Sequence, residues 1–123
     1  LLDDAYFSLF LQGIRTVDGV SVLDTEYIVP FKAKAYLDLK ARREAGENVD
    51  SRKVKKHKRD ALRLAQLLGE SAGVNLAEEL KDDMLAFVKD CEASDINLKQ
   101  IGVVGVTMIQ LLETMKATYG LIG

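Results

Sequence analysis

The chain has 123 residues, of which 48% are hydrophobic and 29% charged, and it contains one proline, one cysteine and one histidine. This composition is typical of a folded domain and excludes a disordered chain and a disulfide scaffold. A single histidine and a single cysteine also exclude a zinc site built from those residues. The formal net charge of −2 excludes a globally basic nucleic-acid-binding protein. We expect one domain over residues 1–123.

The first part of the chain predicts a short helix and a small hairpin. Asp3 or Asp4 can cap a helix that runs through Leu11 and stops at Gly13. Residues 14–23 then contain Asp-Gly between β-branched side chains, which is a strong hairpin signal.

Four longer helices follow in the prediction. Each begins near a residue that can cap it, and most end at a glycine or a polar break. We expect them over residues 30–45, 51–68, 76–91 and 96–119. Gly102 and Gly105 fall inside the last one, where we expect them to allow close helix packing. The predicted fold class is therefore mainly α, a bundle of about four longer helices with a short N-terminal helix and a small β-hairpin.

Hydropathy along the chain predicts no membrane partner. The longest apolar-rich stretch, residues 101–112, is shorter than the roughly 20 residues that cross a bilayer. No basic-then-apolar leader follows the first residue, so we expect a cytoplasmic protein. The chain starts at Leu1 rather than at methionine, which suggests a fragment.

Charge is distributed very unevenly. Residues 32–63 hold 12 of the 17 Lys and Arg but only 5 of the 19 Asp and Glu, so this segment carries about +7 and the remainder about −9. A cationic block between acidic flanks suggests contact with an anion, and the alternative is a solvated helix face. We expect the exposed side chains of residues 52–59 to form one positive surface that faces the hairpin side.

Lys34 and Asp60 are the candidate catalytic pair. Lys34 lies among apolar neighbours, and Asp60 is the sole acid between residues 51 and 68. Helices joined by a short loop usually pack antiparallel, which would bring the two charges within reach. Such a pair at the edge of a cleft could hold triphosphate charge or help to place a metal, and the alternative is a structural ion pair.

Two segments resemble a known family. Residues 18–39 include Pro30 followed by a helix with Lys34, and Arg59-Asp60 comes later before an apolar run. These segments are similar to the C-terminal half of bacterial nucleotidyltransferase-type proteins of the AbiEii group of abortive-infection toxins. The Gly-Ser turn and Asp-x-Asp pair that precede this region in the family have no counterpart here, and Arg63 stands where the family has an acid.

The resemblance implies a C-terminal fragment of a bacterial nucleotidyltransferase that is inactive on its own. The parent would transfer a nucleotidyl group from a nucleoside triphosphate to an RNA or protein acceptor. Lys34 would contact phosphate and Asp60 would orient Lys34 or the acceptor. Mg²⁺ would be held by ligands outside this chain. The residues expected to attract the triphosphate or an RNA acceptor are Lys32, Lys55, Lys56, Lys58 and Arg59.

A second class of function stays open. The basic helix could belong to a non-enzymatic helical module that binds nucleic acid or an acidic partner. No aromatic residue lies within residues 40–63, so base stacking is not expected there. Contact with phosphates alone gives weak, salt-sensitive binding.

Overall fold

Helices dominate the computed structural model, which describes residues 3–69 and 73–121. Residues 70–72, in the break expected between the helices over residues 51–68 and 76–91, lie outside the described residues. The mainly α fold with a small hairpin is confirmed. The elements are α1 (Asp4–Gly13), β1 (Ile14–Val17), β2 (Val20–Leu23), α2 (Thr25–Glu44), α3 (Ser51–Ala65), α4 (Glu78–Glu92), a 3₁₀ turn (Leu98–Ile101) and α5 (Met108–Tyr119).

The N-terminal elements follow their sequence signals. The Asp3 carboxylate accepts a hydrogen bond from the Tyr6 backbone N–H at 3.0 Å, which caps α1. The hairpin pairs Ile14 with Leu23 at its base. Asp18 and Gly19 have φ values of 51° and 78°, the left-handed pair that a two-residue type I′ turn requires.

α2 begins earlier than the predicted residue 30, and the reason lies in a long-range contact. Pro30 has no N–H, so it cannot donate to the Glu26 carbonyl one turn before it. The Tyr119 hydroxyl donates to that carbonyl at 2.7 Å instead. α5 therefore completes the hydrogen bonding of α2, and the helix runs from Thr25 through the proline.

α2 packs most extensively against α3 and also contacts α4 and α1. Lys32, in the first half of α2, meets Asp60, late in α3, whereas Arg43 and Ser51 line one pocket where α2 ends and α3 begins. The two helices are thus antiparallel, as the short connection predicts. The core side chains include Tyr6, Val29, Ala61, Leu62, Met84, Phe87, Met115 and Tyr119.

The predicted continuous helix over residues 96–119 is wrong. Gly102 ends the 3₁₀ turn with φ 84°, Gly105 has φ 82°, and neither value fits a right-handed helix. A methyl group added to either glycine would meet no heavy atom within 4 Å, so close packing does not explain them. Thr107 and Gln110 then form a capping box that starts α5.

The remaining helix boundaries differ by a few residues from those predicted. α3 ends at Ala65 rather than at residue 68, and α4 begins at Glu78 rather than at residue 76. Within residues 3–69 and 73–121, no helix combines the length and the apolar character that crossing a bilayer requires.

Candidate anion-binding site

A pocket of about 410 Å³ lies between the second half of α2 and the first half of α3. Its wall contains five cationic side chains and no acidic one. Its volume lies in the range of small-molecule sites. The lining residues are Tyr36, Lys40, Arg43, Ser51, Val54, Lys55, Lys58, Arg59 and Ile96.

Helical spacing explains why these side chains converge. Tyr36, Lys40 and Arg43 recur at intervals of four and three along α2, so they share one face. Lys55 and Arg59 repeat the interval of four on α3. Because the helices are antiparallel, the basic end of α2 lies opposite the basic start of α3.

The carboxylate of Asp90, on α4, binds two of the five cations. Its Oδ1 accepts from the Tyr36 hydroxyl at 2.7 Å and from Lys58 Nζ at 2.5 Å, and its Oδ2 accepts from Lys40 Nζ at 2.5 Å. The Lys58 ammonium also lies 5.2 Å from the centroid of the Tyr36 ring, within the range of a cation–π contact.

These contacts shift the acidity of the groups involved. Burial alone would raise the pKa of Asp90, but the hydrogen bonds from Lys40, Lys58 and Tyr36 outweigh burial and lower that pKa to about 2. The pKa of Tyr36 is raised by burial and by its bond to the same carboxylate. The pKa of Lys40 is raised mainly by its hydrogen bond to Asp90. Asp90 is therefore anionic, and Tyr36 and Lys40 keep their protons at neutral pH.

Three cations of the pocket have no acidic partner among the described residues. Within the part of the chain that the structure describes, Arg43, Lys55 and Arg59 form no salt bridge. Arginine presents a planar fork of donors that matches phosphate or carboxylate oxygens, and lysine supplies a point charge. The arrangement can therefore bind an anion that carries several charges.

The structure divides the predicted substrate-binding residues. Lys55, Lys58 and Arg59 line the pocket, whereas Lys56 lies exposed on the outer side of α3. The expectation that Lys58 belongs to an exposed positive surface is wrong, because only 8% of this residue is accessible and its ammonium group is bound to Asp90. The exposed cations of residues 52–59 are Arg52, Lys53, Lys55, Lys56 and Arg59.

The predicted pairing of Lys34 with Asp60 is wrong. Asp60 Oδ2 lies 3.4 Å from Lys32 Nζ, and its Oδ1 accepts from Arg63 at 3.3 Å. Residues two apart on a helix point to different sides. Lys32 consequently faces α3, and Lys34 is turned away from it.

Lys34 belongs instead to a cluster between α1, α2 and α4. Its Nζ lies 3.3 Å from Asp38 and 3.6 Å from Asp83, and it stands 5.6 Å from the Tyr6 ring centroid. The Tyr6 hydroxyl donates to Asp83 at 2.9 Å. Burial lowers the pKa of Lys34, but the two aspartates outweigh it and the net shift is upward.

Tyr36, Lys40, Arg43 and Asp90 were missed as site residues from the sequence. One signal could have found Asp90. Lys58 lies four residues after Val54 and three before Ala61, within the stripe that packs into the core. A lysine in such a stripe requires a buried acid on a neighbouring helix.

The sole histidine and the sole cysteine do not contribute chemistry to the pocket. His57 Nδ1 is buried and has no hydrogen-bond partner among the described residues, and burial lowers the pKa of the imidazole with help from Lys32 and Lys56. Cys91 is fully buried, and burial raises the pKa of its thiol to about 12.

The described residues also offer no ligand set for magnesium. No group of three or more His, Cys, Asp or Glu side chains among residues 3–69 and 73–121 could hold a metal ion. We therefore assign no step to Mg²⁺ within this chain.

Comparisons with protein-family models, with curated proteins and with solved structures gave no match. The geometry of the chain itself therefore carries the functional argument.

Proposed function

We propose that this chain is the helical C-terminal part of a nucleotidyltransferase and that its cationic pocket binds the phosphate groups of a nucleoside triphosphate. One observation carries the proposal: five cations and no acid line a single pocket, and three of the five have no carboxylate partner among the described residues. Preorganised positive charge is the main requirement of phosphoryl and nucleotidyl transfer.

The pocket also has an apolar part that suits the rest of a nucleotide. Tyr36, Val54 and Ile96 line it beside the cations. Apolar side chains can contact the base or the ribose, while the charged side chains bind the phosphates. The proposal includes a cytoplasmic location, because nucleoside triphosphates are used there.

Lys34 and Asp60, the expected catalytic pair, do not act as a pair in this proposal. Asp60 would act together with Lys32, which it binds, and Lys34 would act separately, since its partners are Asp38 and Asp83. Neither Lys32, Lys34 nor Asp60 lines the pocket. In this proposal none of the three contacts the phosphates bound in the pocket, and the Mg²⁺ ligands of the parent protein would lie outside this chain.

Binding of inorganic tripolyphosphate, measured by titration calorimetry at low salt, tests the pocket directly. We expect a dissociation constant of about 1 mM or below. The variant Arg43→Gln/Lys55→Gln/Arg59→Gln should weaken binding by about tenfold or more. Its matched control, Arg52→Gln/Lys53→Gln/Lys56→Gln, removes the same number of charges outside the pocket and should have a small effect. Equal losses in both variants would contradict a specific phosphate site.

A second candidate function uses the outer side of α3. Arg52, Lys53 and Lys56 are exposed there and lie outside the pocket lining. Arg52 binds Asp50, whereas Lys53 and Lys56 have no salt bridge among residues 3–69 and 73–121. This surface favours a non-enzymatic module that binds nucleic acid or an acidic partner. The same two triple variants separate the functions: oligonucleotide binding should fall with the control variant and not with the pocket variant.

A further inference from the structure

Asp90 lies behind the cationic pocket rather than in it. A second hollow, between α2 and α4, is lined by Asp90, Lys40 and Lys58, and the same two lysines also line the first pocket. The two lysines therefore form the wall between the hollows, and Asp90 contacts them from the α4 side.

The two lysine side chains need this contact for a defined position. Only 10% of the Lys58 side chain is accessible, so its ammonium group would be a buried unpaired charge without Asp90. The Lys40 side chain is 42% accessible and could turn away into solvent. A single carboxylate with an accessibility of 12% fixes both ammonium groups and the Tyr36 hydroxyl.

We propose that Asp90 is the positioning residue of the anion pocket: it holds the ammonium groups of Lys40 and Lys58 at the wall where phosphate oxygens bind. The inference rests on the proposed function, because it assumes that phosphate occupies the pocket. It adds that part of the anion affinity comes from an acidic residue on α4.

Coulomb's law alone predicts the opposite effect of Asp90. Removing a negative charge next to a cationic pocket should strengthen the binding of an anion. Positioning predicts weaker binding, because two ammonium groups lose their fixed orientation. The sign of the change in affinity therefore decides between the two effects.

The test compares the binding of inorganic tripolyphosphate by the wild-type chain and by Asp90→Asn. We expect the variant to bind about fivefold more weakly, and Asp90→Glu, which restores the charge, to recover most of the loss. Asp82→Asn is the matched control, since Asp82 lies exposed on the same helix outside both hollows. It should bind at least as tightly as wild type.

A second readout separates positioning from general stability. Nuclear magnetic resonance of the lysine ammonium groups should show the Lys58 and Lys40 signals shifting on addition of tripolyphosphate in the wild-type chain. In folded Asp90→Asn these shifts should be smaller at equal occupancy. A variant that is only less stable would show the wild-type shifts in its folded fraction.

Equal or tighter binding by folded Asp90→Asn would overturn the inference and leave the proposed function intact. Absence of tripolyphosphate binding by the wild-type chain would overturn both. If Asp90→Asn does not fold, Tyr36→Phe removes one donor from the same carboxylate without changing a charge. It should weaken binding by about twofold, and an unchanged affinity would overturn the inference.

Discussion

The ammonium group of Lys32 on α2 lies 3.4 Å from the carboxylate of Asp60 on α3. Asp60 also binds Arg63, and the Arg63 guanidinium donates to the Ile101 carbonyl at 2.6 Å. One acidic side chain therefore links α2, α3 and the 3₁₀ turn that precedes α5.

This linkage predicts which lysine is coupled to Asp60. A double-mutant cycle with Lys32→Met and Asp60→Asn should give a coupling of about 0.5–1 kcal/mol in the free energy of unfolding. The same cycle with Lys34→Met should give a coupling near zero, because Lys34 binds Asp38 and Asp83. Urea unfolding of the single and double variants measures both. Coupling through Lys34 and not through Lys32 would contradict the observed pairing.

Tyr119→Phe should destabilise the fold by about 1–3 kcal/mol, because the Glu26 carbonyl loses its donor. In a Pro30→Ala background the same change should cost less, since an alanine N–H can donate to that carbonyl within α2. Thermal or urea unfolding of the four variants measures the difference. Equal costs in both backgrounds would show that the proline does not create the need for Tyr119.

Gly102→Ala tests the break before α5. At φ 84° an alanine is strained, so we expect the free energy of unfolding to fall by about 1 kcal/mol or more. In a continuous helix the same change would raise it by about 1 kcal/mol. Gly102→Asn is the control, since asparagine tolerates this conformation better and should lose less. Urea unfolding gives the sign directly.

The acid stability of the chain should depend on Asp90. Its pKa is about 2 in the folded chain, below its usual value of 3.8. The ionised carboxylate therefore stabilises the fold fully above about pH 4, and this contribution is lost as the pH falls toward 2. We expect the stability difference between wild type and Asp90→Asn, about 1–2 kcal/mol at pH 6, to shrink over that interval. Urea unfolding at several pH values measures it, and a difference that stays constant over that interval would contradict the role of the ionised carboxylate.

If the chain is one part of a nucleotidyltransferase, as proposed, the 123-residue chain should not transfer nucleotides by itself. The described residues hold no set of acids for a metal ion, and metal-assisted transfer requires one. Purified chain incubated with Mg²⁺ and labelled nucleoside triphosphates should leave RNA and protein acceptors unlabelled. Labelling that disappears with the Asp60→Ala variant would contradict the proposal that the chain is only part of the enzyme.

Local signals predicted the fold well. The Asp3 cap, the Asp18-Gly19 turn and the short α2–α3 connection each act over a few residues, and the structure confirms all three. The sequence also contains a signal for the start of α5 within the last predicted helix, because Thr107 and Gln110 have the spacing of a capping box. The apolar run around them masked that signal, since apolar residues continue at helical intervals through the loop.

The candidate site was less predictable because it depends on a third helix. The basic stretch of α3 indicated an anion, and Lys55 and Arg59 do line the pocket. The choice between Lys32 and Lys34 depends on the rotation of α2 about its axis, which sequence spacing alone does not fix. Lys58 indicates that a neighbouring helix supplies a buried acid, but which acid does so depends on where α4 crosses α2 and α3, and spacing within α4 does not fix that crossing.

The Tyr119–Glu26 contact also bears on the order of folding. It joins residues 93 positions apart, whereas the Lys32–Asp60 contact joins residues 28 apart. Closing the longer loop costs only about 1 kcal/mol more entropy, but α5 also leaves the ribosome after α2 and α3. The α2–α3 pair can therefore assemble during synthesis while the Glu26 carbonyl is still bound to water. The Glu26 carbonyl can accept from Tyr119 only once α5 has been synthesised, so the hydrogen bonding at the start of α2 is completed after the α2–α3 pair has formed.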